Sequence, residues 1–238
     1  MPDQRKHRGP HPEDTSLFAA AVMPALRAAT ADLCWLLTRG YTDKAALKLV
    51  GDRHGLNKRQ RTAAWRCSCS DQQQATRAEH QLAPAALGGR PLCIDGFNVV
   101  TSIEAALSGG VILQARDGCF RDMASMHGTY RKVSETVPAM KLVGSFLEQL
   151  NVGPVTWILD RPVANSGRLR QLMLETAATE GWSWQVELAA SPDSLLIETS
   201  DVVATADSMV LDRTQAWFNL ARQVVETAVE RSWVVVLA

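Results

Sequence analysis

The sequence predicts an α/β chain: a mainly parallel sheet with flanking helices, preceded by a small all-α domain. Two observations lead there. Behind Pro91, short apolar runs alternate with segments of helix length, the pattern that places parallel strands in a sheet with crossover helices on both faces. In front of it, the apolar residues instead recur at helical spacing, in short stretches bounded by capping residues and glycines.

Taken in order, residues 1–16 mix Pro, Gly, His and charge without an apolar period. They promise too little burial to offset ordering entropy and are expected to form a disordered tail. From Leu17 to Leu37 the apolar positions are helical, with Pro24 expected to end or kink the helix. Gly40 suits the left-handed residue behind a helix. Thr42 is an N-cap candidate for a helix carrying Ala45, Ala46, Leu49 and Val50 as far as Gly51, and Asn57 opens a further helix over Lys58–Arg66. Residues 17–72 therefore read as a small helical domain with Trp35 and Trp65 in its core. Residues 73–90, polar and then rich in Ala, Gly and Pro, read as a linker. Residues 91–238 hold the sheet. Leu92–Ile94, Val155–Leu159, Trp184–Leu188, Val202–Thr205 and Trp233–Leu237 are its expected strands, and Ala139–Leu150, Leu169–Glu180 and Thr214–Glu230 its expected helices. No internal repeat is evident.

Composition narrows the function classes. The 238 residues are 46% hydrophobic and 21% charged, an ordinary globular balance. Lys plus Arg equals Asp plus Glu at 25 each, so the whole molecule has no bulk attraction to nucleic acid or to an anionic membrane, and any electrostatic signal must be local. The apolar runs are far shorter than a spanning helix needs, and no membrane association is expected. Five cysteines without a paired CxxC spacing, behind no signal peptide, suggest reduced thiols and a cytoplasmic protein. Cys67-Ser68-Cys69 has no second ligand pair for zinc. Homo-oligomerisation is left open.

The chemistry sits at the ends of the apolar runs. Asp95 closes Cys93-Ile94-Asp95, Asp160 closes Ile158-Leu159-Asp160, and Asp207 follows Val202–Ala206. In a parallel sheet, ligands bind at the carboxyl ends of the strands, so these aspartates, distant in sequence, are expected to share one rim. Their mutual repulsion calls for protonation or a cation, and Mg2+ or Mn2+ accepts hard oxygen ligands. Asp193 is expected to start the helix before the Val202 strand and to become a fourth ligand. Gly96 allows close backbone approach behind Asp95, and the Asn98 amide would orient water or a phosphate oxygen. Any single aspartate after a strand is better read as a cap of the next turn or helix, and it is the recurrence that favours a site.

Ile94-Asp95-Gly96-Phe97-Asn98 resembles the first motif of NYN nucleases within the PIN superfamily; Ile158-Leu159-Asp160 is similar to their central aspartate motif, and Ala204-Thr205-Ala206-Asp207-Ser208 to their late Thr-x-Asp motif. Ser191-Pro192-Asp193 fits the acidic position before the last motif. The resemblance covers roughly residues 91–238 and implies a Rossmann-like, PIN-like sheet and metal-dependent hydrolysis of phosphodiesters, with RNA the favoured substrate. Asp95, Asn98, Asp160, Asp193 and Asp207 would be the catalytic set and the four aspartates its metal ligands. Many PIN nucleases carry a further acid after the first strand; Glu104, Asp117, Asp122 and Glu135 compete for that position, with Asp117 or Asp122 completing the metal set. Arg39-Gly40-Tyr41 and Leu49-Val50-Gly51-Asp52-Arg53 resemble the helical front half of an uncharacterised two-part prokaryotic family, a likeness that supplies no activity.

Substrate contacts are expected from three places. The polar connection around Arg116–Lys132 offers Arg121, Arg131 and Lys132 for phosphates and Tyr130 for stacking, though a solvated helix and hairpin fit equally; His127 is a weak acid/base candidate. Ser166 either caps the helix near Arg168 or meets a phosphate there. Between Arg39 and Arg66 basic residues far outnumber acidic ones, and Lys58, Arg59 and Arg61 at one helix start could bind nucleic acid or merely solvate a bundle. The leading expectation is a metal-dependent nuclease. Its rivals are a nucleic-acid-binding protein without turnover and a small-phosphate hydrolase, the latter disfavoured because Asp95-Gly96-Phe97 lacks a second carboxylate.

Overall fold

A computed structural model describes residues 7–123 and 129–238. The front helices are α1 (Asp14–Leu17), α2 (Met23–Thr38), α3 (Asp43–Arg53), α4 (Lys58–Cys67) and α5 (Asp71–His80). There follow β1 (Leu92–Asp95), α6 (Gly96–Leu107), β2 (Val111–Gln114), β3 (Phe120–Asp122), α7 (Thr136–Gln149), β4 (Val155–Asp160), α8 (Ser166–Glu180) and β5 (Trp184–Ala189). The chain ends with α9 (Pro192–Glu198), β6 (Val202–Ala204), α10 (Ser208–Leu211), β7 (Trp217–Phe218), α11 (Leu220–Ala228) and β8 (Trp233–Val236).

The expected α/β fold is present. The main sheet has the order β5-β4-β1-β6-β7, and every pairing in it is parallel. Alternation along each strand explains its two covered faces. Leu92 and Ile94, Trp157 and Leu159, and Val202 and Ala204 enter the large core beneath α6, α7, α8 and α11. Cys93, Ile158 and Val203 point the other way, towards α9 and α10. The last expected strand does not join this sheet. β8 pairs parallel with β2, and β2 antiparallel with β3, in a separate sheet of order β3-β2-β8. The helix expected from Thr214 begins only at Leu220, because Trp217 and Phe218 extend the main sheet as β7.

The front end departs further from expectation. Pro24 opens α2, where its missing N–H costs nothing, and does not interrupt it. Gly40 takes φ +80° behind α2, as expected. Helix α3 continues past Gly51, which is buried beneath the Arg61 side chain. Asn57 caps α4 in a capping box with Gln60. The expected linker is largely helix: Ser70 and Gln73 form a second capping box at the start of α5, and Arg77 is fully buried. Nor is the expected tail loose from His7 onward. Arg8 pairs with buried Glu104, His7 with Glu135 (2.6 Å) and buried Asp14 with Arg59 (2.5 Å), so ion pairs substitute for the missing apolar period. Helices α2, α3 and α4 pack on Val111, Leu113 and Val235 of the small sheet and on Leu237 just beyond it, so the front helices share a core with the α/β part.

Candidate functional site

The acidic rim forms because β4, β1 and β6 are neighbours and run the same way. Asp95 lies opposite Ile158 of β4, and Ile94 opposite Ala204 of β6. Asp160 and Asp207 therefore project about two residues beyond Asp95, on the order of 6–7 Å at strand rise. Asp95 sits at the bottom and the other two overhang it. Asp193, in the first turn of α9, is the fourth member: its charge acts on Asp160, and Asp207 acts on it in turn.

Hydrogen bonds lock the floor. The Thr205 hydroxyl donates to Asp95 Oδ2 (2.7 Å) and accepts from the Asp207 N–H (3.0 Å). The Asn98 N–H donates to Asp95 Oδ1 (3.4 Å), while Asn98 Oδ1 accepts from the Ala206 N–H (2.9 Å). Asn98 thus ties the β1 end to the β6 end. Asp207 Oδ1 accepts from the N–H groups of Met209 (2.8 Å) and Val210 (3.3 Å). Asp95 and Asp207 are helix caps as well as rim members, so the two readings of an aspartate after a strand coexist. Gly96 is required sterically: a Cβ there would stand 2.5 Å from Leu159 Cδ2 and 3.0 Å from the Ile158 carbonyl oxygen.

Burial above all, with the charges of Asp207 and, less, Asp160, pushes the Asp95 carboxyl up to about 7 against the lowering effect of the hydrogen bonds from Thr205 and Asn98. Asp160 is raised by desolvation and then by Asp193, and Asp193 by desolvation and then by Asp207. Among the described residues no Lys or Arg forms an ion pair with any of the four. Nor do three His, Cys, Asp or Glu side chains stand close enough together, among those residues, to hold a metal ion as they are. In kind, the donors are hard carboxylate oxygens without a counter-charge, the ligand type that Mg2+ and Mn2+ accept.

Several candidates are placed elsewhere. Asp117 is not a rim acid; it is buried between Arg77 (2.6 Å) and Arg121 (2.6 Å), which hold its carboxyl below the usual range despite burial. Arg121 is consequently buried too, its guanidinium spent on Asp117 and the Ala206 carbonyl. Tyr130 is no stacking platform: it packs on Phe97 at 5.2 Å and donates to Glu104 (2.6 Å), itself fully buried. Glu135 is occupied by His7. Of the competing acids, Asp122 alone lines the same cleft as Asn98 and Asp207, accepting there from Ser102 Oγ (3.2 Å). Ser166 is neither cap nor open: Asn165 holds the cap position at φ 71°, and the Ser166 hydroxyl turns back to the Arg161 carbonyl (3.4 Å). Arg131 and Lys132 are exposed and line a second cleft of about 620 Å³ with Arg168. Lys58 is exposed, whereas Arg59 is engaged by Asp14 and Arg61 by Asp52 (2.8 Å). His127 lies outside the described residues.

Trp35 and Trp65 are also not core residues, being 54% and 46% exposed. Trp65 lines a cleft of about 420 Å³ between the front helices and the rim. The helical period contained the signal. Gln60, Ala63, Ala64 and Cys67 form the buried face of α4, and Trp65 lies off that face. Thr205, whose hydroxyl joins Asp95 to Asp207, enters the sequence reading only as the Thr of the Thr-x-Asp motif, with no role assigned; its place two residues before Asp207 is the signal for one.

Residues 25–80 match the family described as "Protein of unknown function (DUF434)", and residues 84–223 the family described as "Domain of unknown function (DUF5616)". An uncharacterized protein of Methanocaldococcus jannaschii is 28% identical over 187 residues, covering 79% of this chain and 89% of the relative. No solved structure matches. The two-part organisation expected from the sequence is therefore present, and neither description names an activity. With more than half of its residues within the second match, which contains the entire acidic rim, the chain belongs to the DUF5616 family.

Proposed function

We propose that the protein is a divalent-metal-dependent nuclease acting on phosphodiester bonds, with RNA the favoured substrate through the PIN/NYN resemblance of its motifs. One observation carries the reading: Asp95, Asp160 and Asp207 stand at or just beyond the carboxyl ends of adjacent parallel strands with Asp193 beside them, and the negative charge of Asp207 acts on Asp95 and Asp193 as that of Asp193 acts on Asp160. Mg2+ or Mn2+ bound there would supply Lewis-acid charge at the scissile phosphate and make an attacking water more acidic. Asp95, fixed by Thr205 and Asn98, would anchor the cation from below; Asp160 and Asp207 would flank it, with Asp193 beside Asp160. The free Asn98 amide hydrogens would orient a phosphate oxygen.

The test is incubation of labelled RNA and DNA with Mg2+ or Mn2+, comparing wild type with Asp95→Asn and Asp160→Asn. Both variants should lose on the order of 100-fold or more in rate. Equal cleavage by all three proteins would reject the assignment. The wide spacing of the acids favours a second reading, a nucleic-acid-binding protein without turnover. Salt-sensitive, metal-independent binding with no cleavage would select it.

A further inference from the structure

The cleft beside the rim has a composition the catalytic reading does not use. It lies between the segments matched by the two families, with α4 on one side and α10 on the other. Two of the protein's large exposed apolar side chains line it: Trp65 from α4, 46% exposed, and Met209 from α10, 45% exposed. Asn98 and Asp207 of the rim line the same space. Exposed Arg213 does so too, without a carboxylate partner among the described residues. At about 420 Å³ the cleft falls in the range of small-ligand sites, roughly 300–1,000 Å³.

We infer that this cleft is a nucleobase subsite in which a base of a single-stranded nucleic acid stacks on Trp65, with Met209 as a second apolar contact. Trp65 stands outside the buried face of α4, which Gln60, Ala63, Ala64 and Cys67 form, and leaves 46% of its surface open. An indole supplies a broad π surface for a base in any sequence context, and a thioether is a polarisable partner for aromatic rings. Arg213 provides a charge for the backbone phosphate that accompanies the base. Because Asn98 and Asp207 line the same cleft, a base held there would present its neighbouring phosphate to the acidic rim. A base inside a duplex has its faces covered by its neighbours, so the occupant must be unpaired. The inference rests on the proposed nuclease reading for its placement of substrate but concerns a different contact.

The test measures binding without turnover. The full chain in EDTA is titrated into a short labelled RNA, the matching DNA strand, their duplex, and an abasic oligonucleotide of equal charge. Trp65→Ala should weaken binding of both single strands about ten-fold. Trp65→Phe should retain most of the affinity, and Trp35→Ala, an exposed tryptophan outside the cleft, should change nothing. The relative affinities of the RNA and DNA strands then assign the sugar. Unchanged single-strand affinity in Trp65→Ala, or equal affinity for the abasic chain, would overturn the inference. Met209→Ala should weaken the same strands by a smaller factor, guarding against a folding effect specific to position 65. The two readings fail separately. Cleavage surviving Asp95→Asn would remove the nuclease and leave Trp65-dependent binding intact; cleavage abolished by Asp95→Asn beside unchanged binding in Trp65→Ala would do the reverse.

Discussion

Asp95 is the residue whose charge the fold tolerates least. Its carboxyl is raised from 3.8 to about 7, chiefly by burial. The folded state therefore holds a proton that the unfolded chain releases near pH 4, so the contribution is complete below that pH and is lost as pH rises through about 7. Above neutrality the metal-free protein carries a buried charge without a counter-ion. Asp95→Asn should consequently raise stability at pH 8 by on the order of 1–3 kcal/mol, measured by urea unfolding in EDTA, and the gain should vanish at pH 4. A variant equally stable relative to wild type at both pH values would show that Asp95 is not held near neutrality. Burial acts in the same direction on the thiols of Cys67 and Cys69, pushing them up to about 12, so that they stay protonated across the physiological range.

At the scale of elements, one helix attaches the front end to the rim. Helix α5 carries Arg77, whose guanidinium pairs with Asp117 on the turn before β3 and with Asp212 just after α10 (both 2.6–2.7 Å), and donates to the Ser208 carbonyl (3.3 Å). The Trp217 indole N–H returns a bond to the Arg77 carbonyl (2.7 Å), joining α5 to β7. Removing one partner of a buried ion pair leaves the other charged and dry. Arg77→Ala should thus cost about 3–5 kcal/mol in urea unfolding. A loss below about 1 kcal/mol would mean that Arg121 alone satisfies Asp117. Sequence offered little warning of this network: Gln72-Gln73-Gln74 looks like polar linker until Ser70 and Gln73 are seen capping a helix, and nothing local pairs Arg77 with an aspartate 40 residues away.

At the scale of the molecule, strand β2 joins the two cores. Val111 and Leu113 face the front helices, and Ile112 faces the large core beneath the main sheet. A strand with both faces buried cannot lose one neighbour without exposing apolar surface to water. Scanning calorimetry should therefore show one transition for the whole chain, with calorimetric and van't Hoff enthalpies agreeing. Two resolved transitions would mean that the front helices and the α/β part fold independently, despite their shared core. No helix among the described residues is long and apolar enough to cross a membrane.

Local pattern determined the parallel α/β class, the strands β1, β4, β5 and β6, the Asn57 cap and the strand-end aspartates, because each rests on the chain's own periodicity and on where an apolar run stops. Short-range rules act within a few residues, and these features lie within that reach. Tertiary structure alone decided which charges are free. Asp117, Arg121 and Arg59 look like solvent-facing ligands in one dimension, yet each is consumed by a partner from another element. It also separated β8 from the main sheet and turned Trp65 outward beside the rim. The physical reason is common to all of these: ion pairing, sheet membership and exposure depend on which distant segment arrives alongside, and contacts across the fold set that.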